Sequence, residues 1–263
     1  MVARQIAARG IDDPAILQAF REVPREDFLP DDMQEFAYED APLPIGEGQT
    51  ISQPFIVACM IDAAELTPDS VVLEVGAGSG YAAAVMSRIA GRVHAVERHE
   101  VLAAAAQERI AALGYDNCEI TVGDGREGLA RHAPFDAILV AARTAEVPPA
   151  LKRQLAVGGK LIIPVGDDDV QQLRCIERTG ADEWHSHDIA PVRFVPLLAG
   201  VNPQDGTRAA SDHRPASQRT TARIIAESCT RLPPIDDAAF AEAFDRFADK
   251  RIVMLGESSH GTH

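Results

Sequence analysis

The sequence has little lysine, few aromatic residues and no paired cysteines. Lys152, Lys160 and Lys250 are the only lysines among 25 basic residues, and 40 acidic residues leave a formal net charge of −15. A chain this acidic lacks the basic face that a phosphate backbone demands, so nucleic acid is not expected as a partner. Aromatics make up only 5%, but 46% of residues are apolar, ample for a core. No run approaches the roughly 20 apolar residues of a membrane span, so no membrane partner is expected. Met1 is followed by a polar, helix-like start rather than an apolar signal segment. Cys59, Cys118, Cys175 and Cys229 are scattered, without C-x-x-C spacing. They read as small core residues in a reducing compartment, which makes the cytosol the expected location.

What is present is organised around residues 71 to 80, VVLEVGAGSG. An apolar, β-branched run from Val71 to Val75, broken only by Glu74, leads into Gly76, Gly78 and Gly80. Tyr81 then opens a run of good helix formers. Strand, glycine turn, helix is the reading. Glycine at alternate positions permits positive φ and close approach to a ligand, and the following helix aims free N–H groups into the same space. The same motif also serves as a tight turn with no ligand. The spacing is G-x-G-x-G, not the G-x-G-x-x-G of dinucleotide folds. Arg92 to Val96 reads as a second strand ending at Glu97, a carboxylate placed to accept both hydroxyls of a ribose. A third strand, Glu119 to Val122, leads into Gly123-Asp124-Gly125. Asp124 there can accept from an adenine amino group or bind nearby backbone. Three strand ends carrying Gly, Glu and Asp in this order resemble the S-adenosylmethionine-binding half of class I methyltransferases.

Ahead of this core, residues 3 to 22 look helical, with Gly10 interrupting and Asp12-Asp13-Pro14 as a helix start. VPREDFLP, Val23 to Pro30, closes that entry. Residues 38 to 57, YEDAPLPIGEGQTISQPFIV, read as a long ordered loop before a helix beginning near Pro54. Long loops inside a compact domain are often functional. Ser52, at the loop's end, suits either a helix N-cap or an active-site hydroxyl.

At this point the resemblance narrows. AYEDAPLPIGEGQTISQPFIVA, VPREDFLP, VLEVGAGSGY, GDGREG, APFDAILVAA, VPPALKRQLAVGGKLIIPVG and VRFVPL follow one another as in protein-L-isoaspartate O-methyltransferases, over residues 1 to about 200. The resemblance implies an α/β, Rossmann-like class I fold, with a mostly parallel central sheet and helices on both faces. It implies S-adenosyl-L-methionine as cofactor, held by Glu74, Gly76, Gly78, Gly80, Glu97, Asp124 and Gly125. It further implies isoaspartyl proteins and peptides as substrates, met by Thr50, Ile51, Ser52 and Gln53, with Ser52 in the catalytic position. No metal is implied. The chemistry agrees: a carboxylate attacking a sulfonium methyl group needs alignment and exclusion of water rather than a strong base.

The remaining elements complete the sheet. An alanine-rich helix covers residues 99 to 113, and His94 and His99 beside the second strand read as solvated or packed. Pro134 to Ala141 is the fourth strand, and Arg143 just beyond it either contacts the anionic substrate or points to solvent, the latter favoured. Val147 to Leu155 is a short helix, Lys160 to Val165 a strand, Asp167-Asp168-Asp169 an exposed turn, and Gln171 to Arg178 a strand. His185 and His187 make a poor metal site without a cysteine partner. Val192 to Leu198 reads as the last strand. Residues 201 to 221 are polar and aperiodic, a linker. Residues 222 to 263 carry Phe240, Phe244 and Phe247 at helical spacing, an apolar strand from Arg251 to Leu255, and GESSHGTH. That stretch resembles the start of erythromycin esterase-type hydrolases, with Glu257 and His260 on that family's active-site positions. The expectation is that a hydrolase-like domain continues past residue 263.

Overall fold

The structure is a computed structural model that describes residues 1–202. The esterase-like segment 222–263, and the linker beyond its first two residues, lie outside the described residues. The β-branched run Val71–Val75 (β3) is an interior strand of a seven-stranded sheet, third from one edge. Arg92–Glu97 (β4) and Cys118–Val122 (β5) lie to one side, in the order β5-β4-β3. Phe135–Val140 (β6), Leu155–Gly166 (β7), Gln171–Arg178 (β8) and Trp184–Pro191 (β9) extend the other side. The five strands from β5 to β7 are parallel, and β8 and β9 run antiparallel. Parallel neighbours need crossover helices on the sheet faces, which is why β3, β4 and β6 read as continuous apolar runs.

One face is covered by Pro14–Glu22 (α1), Pro54–Ala64 (α2), Tyr81–Ser87 (α3) and Glu100–Ala112 (α4), through Phe20, Ile61, Val85 and Ile110. Pro149–Gln154 (α5) buries Leu151 on the other face, beside Phe135 and Leu161. The expected fold, a mostly parallel sheet with helices on both faces, is the one observed. Asp13 caps α1, accepting from the N–H groups of Ala15 at 2.7 Å and Ile16 at 3.1 Å. Gly10 ends the preceding turns with φ +97°.

Three expectations are corrected. The stretch from 38 to 57 is not a plain loop. Leu43–Gly46 (β1) and Gln49–Ile51 (β2) form an antiparallel hairpin with an irregularity between Pro44 and Gly46. Second, Val192 to Leu198 is not the last strand; β9 is. Residues 192–198 instead turn back over the strand ends, where the Arg143 N–H donates to the Val195 carbonyl at 2.8 Å and Leu197 donates to the Arg143 carbonyl at 2.7 Å. Third, the Arg143 side chain reaches neither solvent nor a substrate position. It pairs with Asp168 of the acidic turn and is largely buried.

Candidate active site

Parallel strands leave their carboxyl ends on one edge, and ligands in such sheets lie just beyond it. A cavity of about 230 Å³ occupies that position. Its base is the glycine turn. The N–H groups of Gly76 and Ala77 both donate to the Val96 carbonyl, at 2.8 and 3.2 Å, binding the turn to β4. Gly78 has φ +53°, and a Cβ there would stand 3.0 Å from Ile45 Cδ1 of the hairpin. A Cβ at this point would need the Ile45 side chain to give by a few tenths of an ångström, and the positive φ itself disfavours any side chain.

Glu97, at the end of β4, lines the cavity and is 5% exposed. One carboxylate oxygen accepts from Gly78 N–H and the other from His99 N–H, both at 2.9 Å. Each oxygen keeps a second lone pair for a further donor. Glu74 also lines the cavity, on β3, and is buried. Its Oε2 has no hydrogen-bond partner. Burial, and secondly the neighbouring Glu97 charge, push the Glu74 carboxyl well above its usual range. An acid in that state is neutral until a cation enters beside it.

The hairpin also contributes to the lining. Thr50, Ile51 and Ser52 all line the cavity. Ser52 is not a helix cap: Gln53 holds that position in α2, and the first-turn N–H of Phe55 donates to Asp40 rather than to Ser52. The Ser52 carbonyl is held by Arg25 at 2.7 Å, and the residue lines the cavity.

Other expected site residues stand outside the lining. The Gln53 side chain donates to Asp40 at 2.6 Å, away from the cavity. Gly80 packs against Ile120 and Ala106. Asp124 holds backbone instead, accepting from Arg126 N–H at 2.9 Å and from Gly200 N–H at 2.6 Å. Its neighbour Gly125 does line the cavity, and a Cβ there would fall 2.5 Å from Val75 Cγ1. His99, expected to be solvated or packed, lines the cavity and meets the Asn202 side chain at 2.9 Å. Met60, Met86 and the Val195–Leu198 segment complete the wall. Met60 and Met86 come from α2 and α3 and carry no motif, whereas Val195–Leu198, which begins within the VRFVPL stretch, enters through the crossing of 192–198 over the strand ends.

S-adenosylmethionine can be tested against this cavity. It carries a sulfonium and an ammonium charge, a ribose diol and an adenine. The cavity offers two buried carboxyl groups, one with an orphaned oxygen, a glycine turn without side chains, and methionine and aliphatic walls. The donor set fits.

Sheet order, glycine turn and acidic strand ends around one cavity define a class I S-adenosylmethionine-dependent methyltransferase. Residues 1–202 match the family model described as Protein-L-isoaspartate(D-aspartate) O-methyltransferase, and the chain belongs to that family. It is 54% identical over 199 residues to Protein-L-isoaspartate O-methyltransferase 1 of Rhodopseudomonas palustris, covering 75% of this chain and 81% of that one. It is 55% identical over 201 residues to the Methylorubrum populi enzyme, covering 76% and 94%. Among solved structures, a Plasmodium falciparum protein-L-isoaspartate O-methyltransferase in complex with S-adenosyl-L-homocysteine superposes with a TM-score of 0.66 at 28% identity, covering 75% of this chain and 96% of that one.

Proposed function

We propose that this chain methylates the free carboxylate of L-isoaspartyl residues in damaged proteins and peptides, as a repair methyltransferase. The observation that carries this reading is the joint wall of the cavity. Glu74 and Glu97 line the same cavity as the hairpin residues Thr50, Ile51 and Ser52. S-adenosylmethionine supplies an activated methyl group on a sulfonium.

The residues divide the work. Glu97 accepts from the ribose hydroxyls while Gly78 and His99 hold it still. Glu74 offsets positive charge on the cofactor. Gly76, Gly78 and Gly125 admit the cofactor close to backbone. Ser52 donates its hydroxyl to the acceptor carboxylate and aims one oxygen at the methyl carbon. A carbon–oxygen bond forms as the carbon–sulfur bond breaks. The acceptor is already an anion, so no side chain has to remove a proton. Alignment and the exclusion of water by the hairpin supply the rate.

The reading extends to three further points. The family match ends at residue 202, where Asn202 N–H still bonds the Arg98 carbonyl at 2.7 Å. That supports a methyltransferase domain over residues 1 to about 200; the reading of a linker to about 221 and an esterase-like segment over 222–263 rests on the polar, aperiodic stretch and the GESSHGTH motif of the sequence. The free thiols of Cys59, Cys118 and Cys175 support a cytoplasmic location. The acidic charge supports protein rather than nucleic acid as the partner.

The test is transfer of labelled methyl from S-adenosylmethionine to an isoaspartyl peptide, with the matching aspartyl peptide and small carboxylic acids in parallel. Transfer to the isoaspartyl peptide alone is expected. Preferential transfer to a small acid would replace this reading with a small-molecule methyltransferase. Cofactor binding without transfer to any acceptor would make the chain a non-catalytic module.

A further inference from the structure

We infer that Arg25 is a positioning residue for the methyl acceptor, acting through the main chain of Ser52; this rests on the function proposed above. Arg25 belongs to the short 3-10 turn Arg25–Phe28 and is 0% exposed, unusual for so polar a side chain. Its guanidinium divides between two carbonyls. One terminal nitrogen donates to Ser52 at 2.7 Å and the other to Ala41 at 3.1 Å. Ala41 precedes β1 and Ser52 follows β2, so one planar fork closes the base of the hairpin. The guanidinium carbon lies 5.4 Å from the centre of the Tyr81 ring, and Tyr81 is itself part of the cavity wall. Burial lowers the Arg25 pKa to about 10, which leaves it charged at neutral pH.

Asp40 clips the same base from the other side. It accepts from the Gln53 side chain at 2.6 Å and from Phe55 N–H at 3.3 Å. Ser52 and Gln53 are therefore gripped by a cation on one residue and an anion on the next. A two-stranded hairpin has little stability of its own, so this grip sets where the hydroxyl of Ser52 stands. Lysine cannot reproduce it, because a single ammonium lacks the rigid fork that reaches two carbonyls. A displacement of about 1 Å at an aligned centre can lower a rate by roughly 100-fold.

The experiment is a double-mutant cycle on the full chain with Arg25→Lys and Ser52→Ala, read as turnover on an isoaspartyl peptide and as S-adenosylmethionine affinity by calorimetry. Arg25→Lys is expected to lower turnover roughly 30-fold while cofactor affinity stays within about threefold. Adding Ser52→Ala should then lower turnover less than about threefold further, because the hydroxyl is already misplaced. Hydrogen exchange of the amides pairing β1 with β2 should quicken, with the central sheet unchanged. Additive losses, or cofactor affinity falling in step with turnover, would overturn the proposal. If Arg25→Lys does not fold, Asp40→Asn takes its place in the cycle with the same expectations. If the wild-type chain methylates no isoaspartyl peptide, the proposed function fails. Hairpin exchange then decides the clamp alone: faster exchange confined to the hairpin supports it, and unchanged exchange overturns it.

Discussion

The cofactor side and the acceptor side of the cavity are built by different means. Glu74 and Glu97 stand on β3 and β4, adjacent parallel strands paired along their length and flanked on both sides by further strands. Thr50, Ile51 and Ser52 stand on a hairpin of four- and three-residue strands, tied down at its base by Arg25 and Asp40. The first region is placed by the fold itself. The second is placed by the burial of Leu43 and Ile51 in the core and by a few long-range hydrogen bonds at its base, which can be altered with the sheet's own pairing intact. Damage on one side should therefore appear in cofactor affinity, and on the other in turnover.

The largest effect is expected on the cofactor side. Glu97→Ala removes two acceptor oxygens from the ribose, each bond to a charged group being worth roughly 1.5–3 kcal/mol. Affinity for S-adenosylmethionine should fall roughly 100-fold by calorimetry, with far-UV dichroism unchanged. Unchanged affinity would remove Glu97 from the cofactor site. Ser52→Ala is the counterpart. Turnover on an isoaspartyl peptide should fall roughly 10- to 100-fold, the scale of one hydrogen bond to an anion, while cofactor affinity barely moves. Equal losses in both quantities would erase the distinction between the two sides.

Glu74 sharpens the comparison through pH. Its carboxyl is raised by burial first and by Glu97 second, so the cofactor-free protein holds a proton there that the unfolded chain has lost. Stability of the cofactor-free protein should decline as pH rises from about 4.5 through the raised folded value, then level off. Glu74→Gln should flatten that decline. A cation in the cavity favours the ionised form, so binding should expel a proton from the wild type and none from Glu74→Gln. Calorimetry in buffers of different ionisation enthalpy reads the difference. An affinity loss of about tenfold is expected for the variant at high pH, shrinking as pH falls. Identical proton release in the two proteins would assign the proton elsewhere.

The smallest effect is expected from deleting residues 206–263. Methyl transfer per molecule should stay within about twofold, because the family match and the cavity both fall within residues 1–202. Abolished transfer would place part of the catalytic unit beyond residue 202.

The central half of the fold was legible because its signals are local. The β-branched run into the glycine turn, the acid ending β4 and the Asp13-Pro14 helix start each declare themselves within a few residues. The hairpin escaped because Pro42 and Pro44 suppress a strand reading, and its strands are too short to show alternation. The last strand was misplaced for a related reason. Trp184–Pro191 is mostly exposed and carries polar residues in succession, so it lacks the period of a half-buried strand. Val192 to Leu198 is more apolar because Val192, Phe194 and Leu197 pack back onto the core. Arg143 with Asp168, and Asp124 with Gly200, depend on contacts between distant parts of the chain that no local pattern encodes. The motif resemblance implies Gln53 as a substrate contact and Gly80 as a cofactor contact; both adjoin cavity-lining residues in sequence but lie outside the lining, because adjacency in sequence does not set which way a residue faces.

The two backbone hydrogen bonds on Glu97 have a consequence for the timing of entropy loss. A glutamate on an open strand end samples several rotamers and must give them up when a ligand arrives, at roughly 0.5–1.5 kcal/mol per immobilised side chain. Here the N–H groups of Gly78 and His99 hold the rotamer from within the chain itself. The ordering is completed during folding, so the binding step keeps more of its free energy for affinity. The same carboxylate bridges the glycine turn to the residue capping α4. Two loops that a cofactor would otherwise have to order on arrival are already one rigid frame.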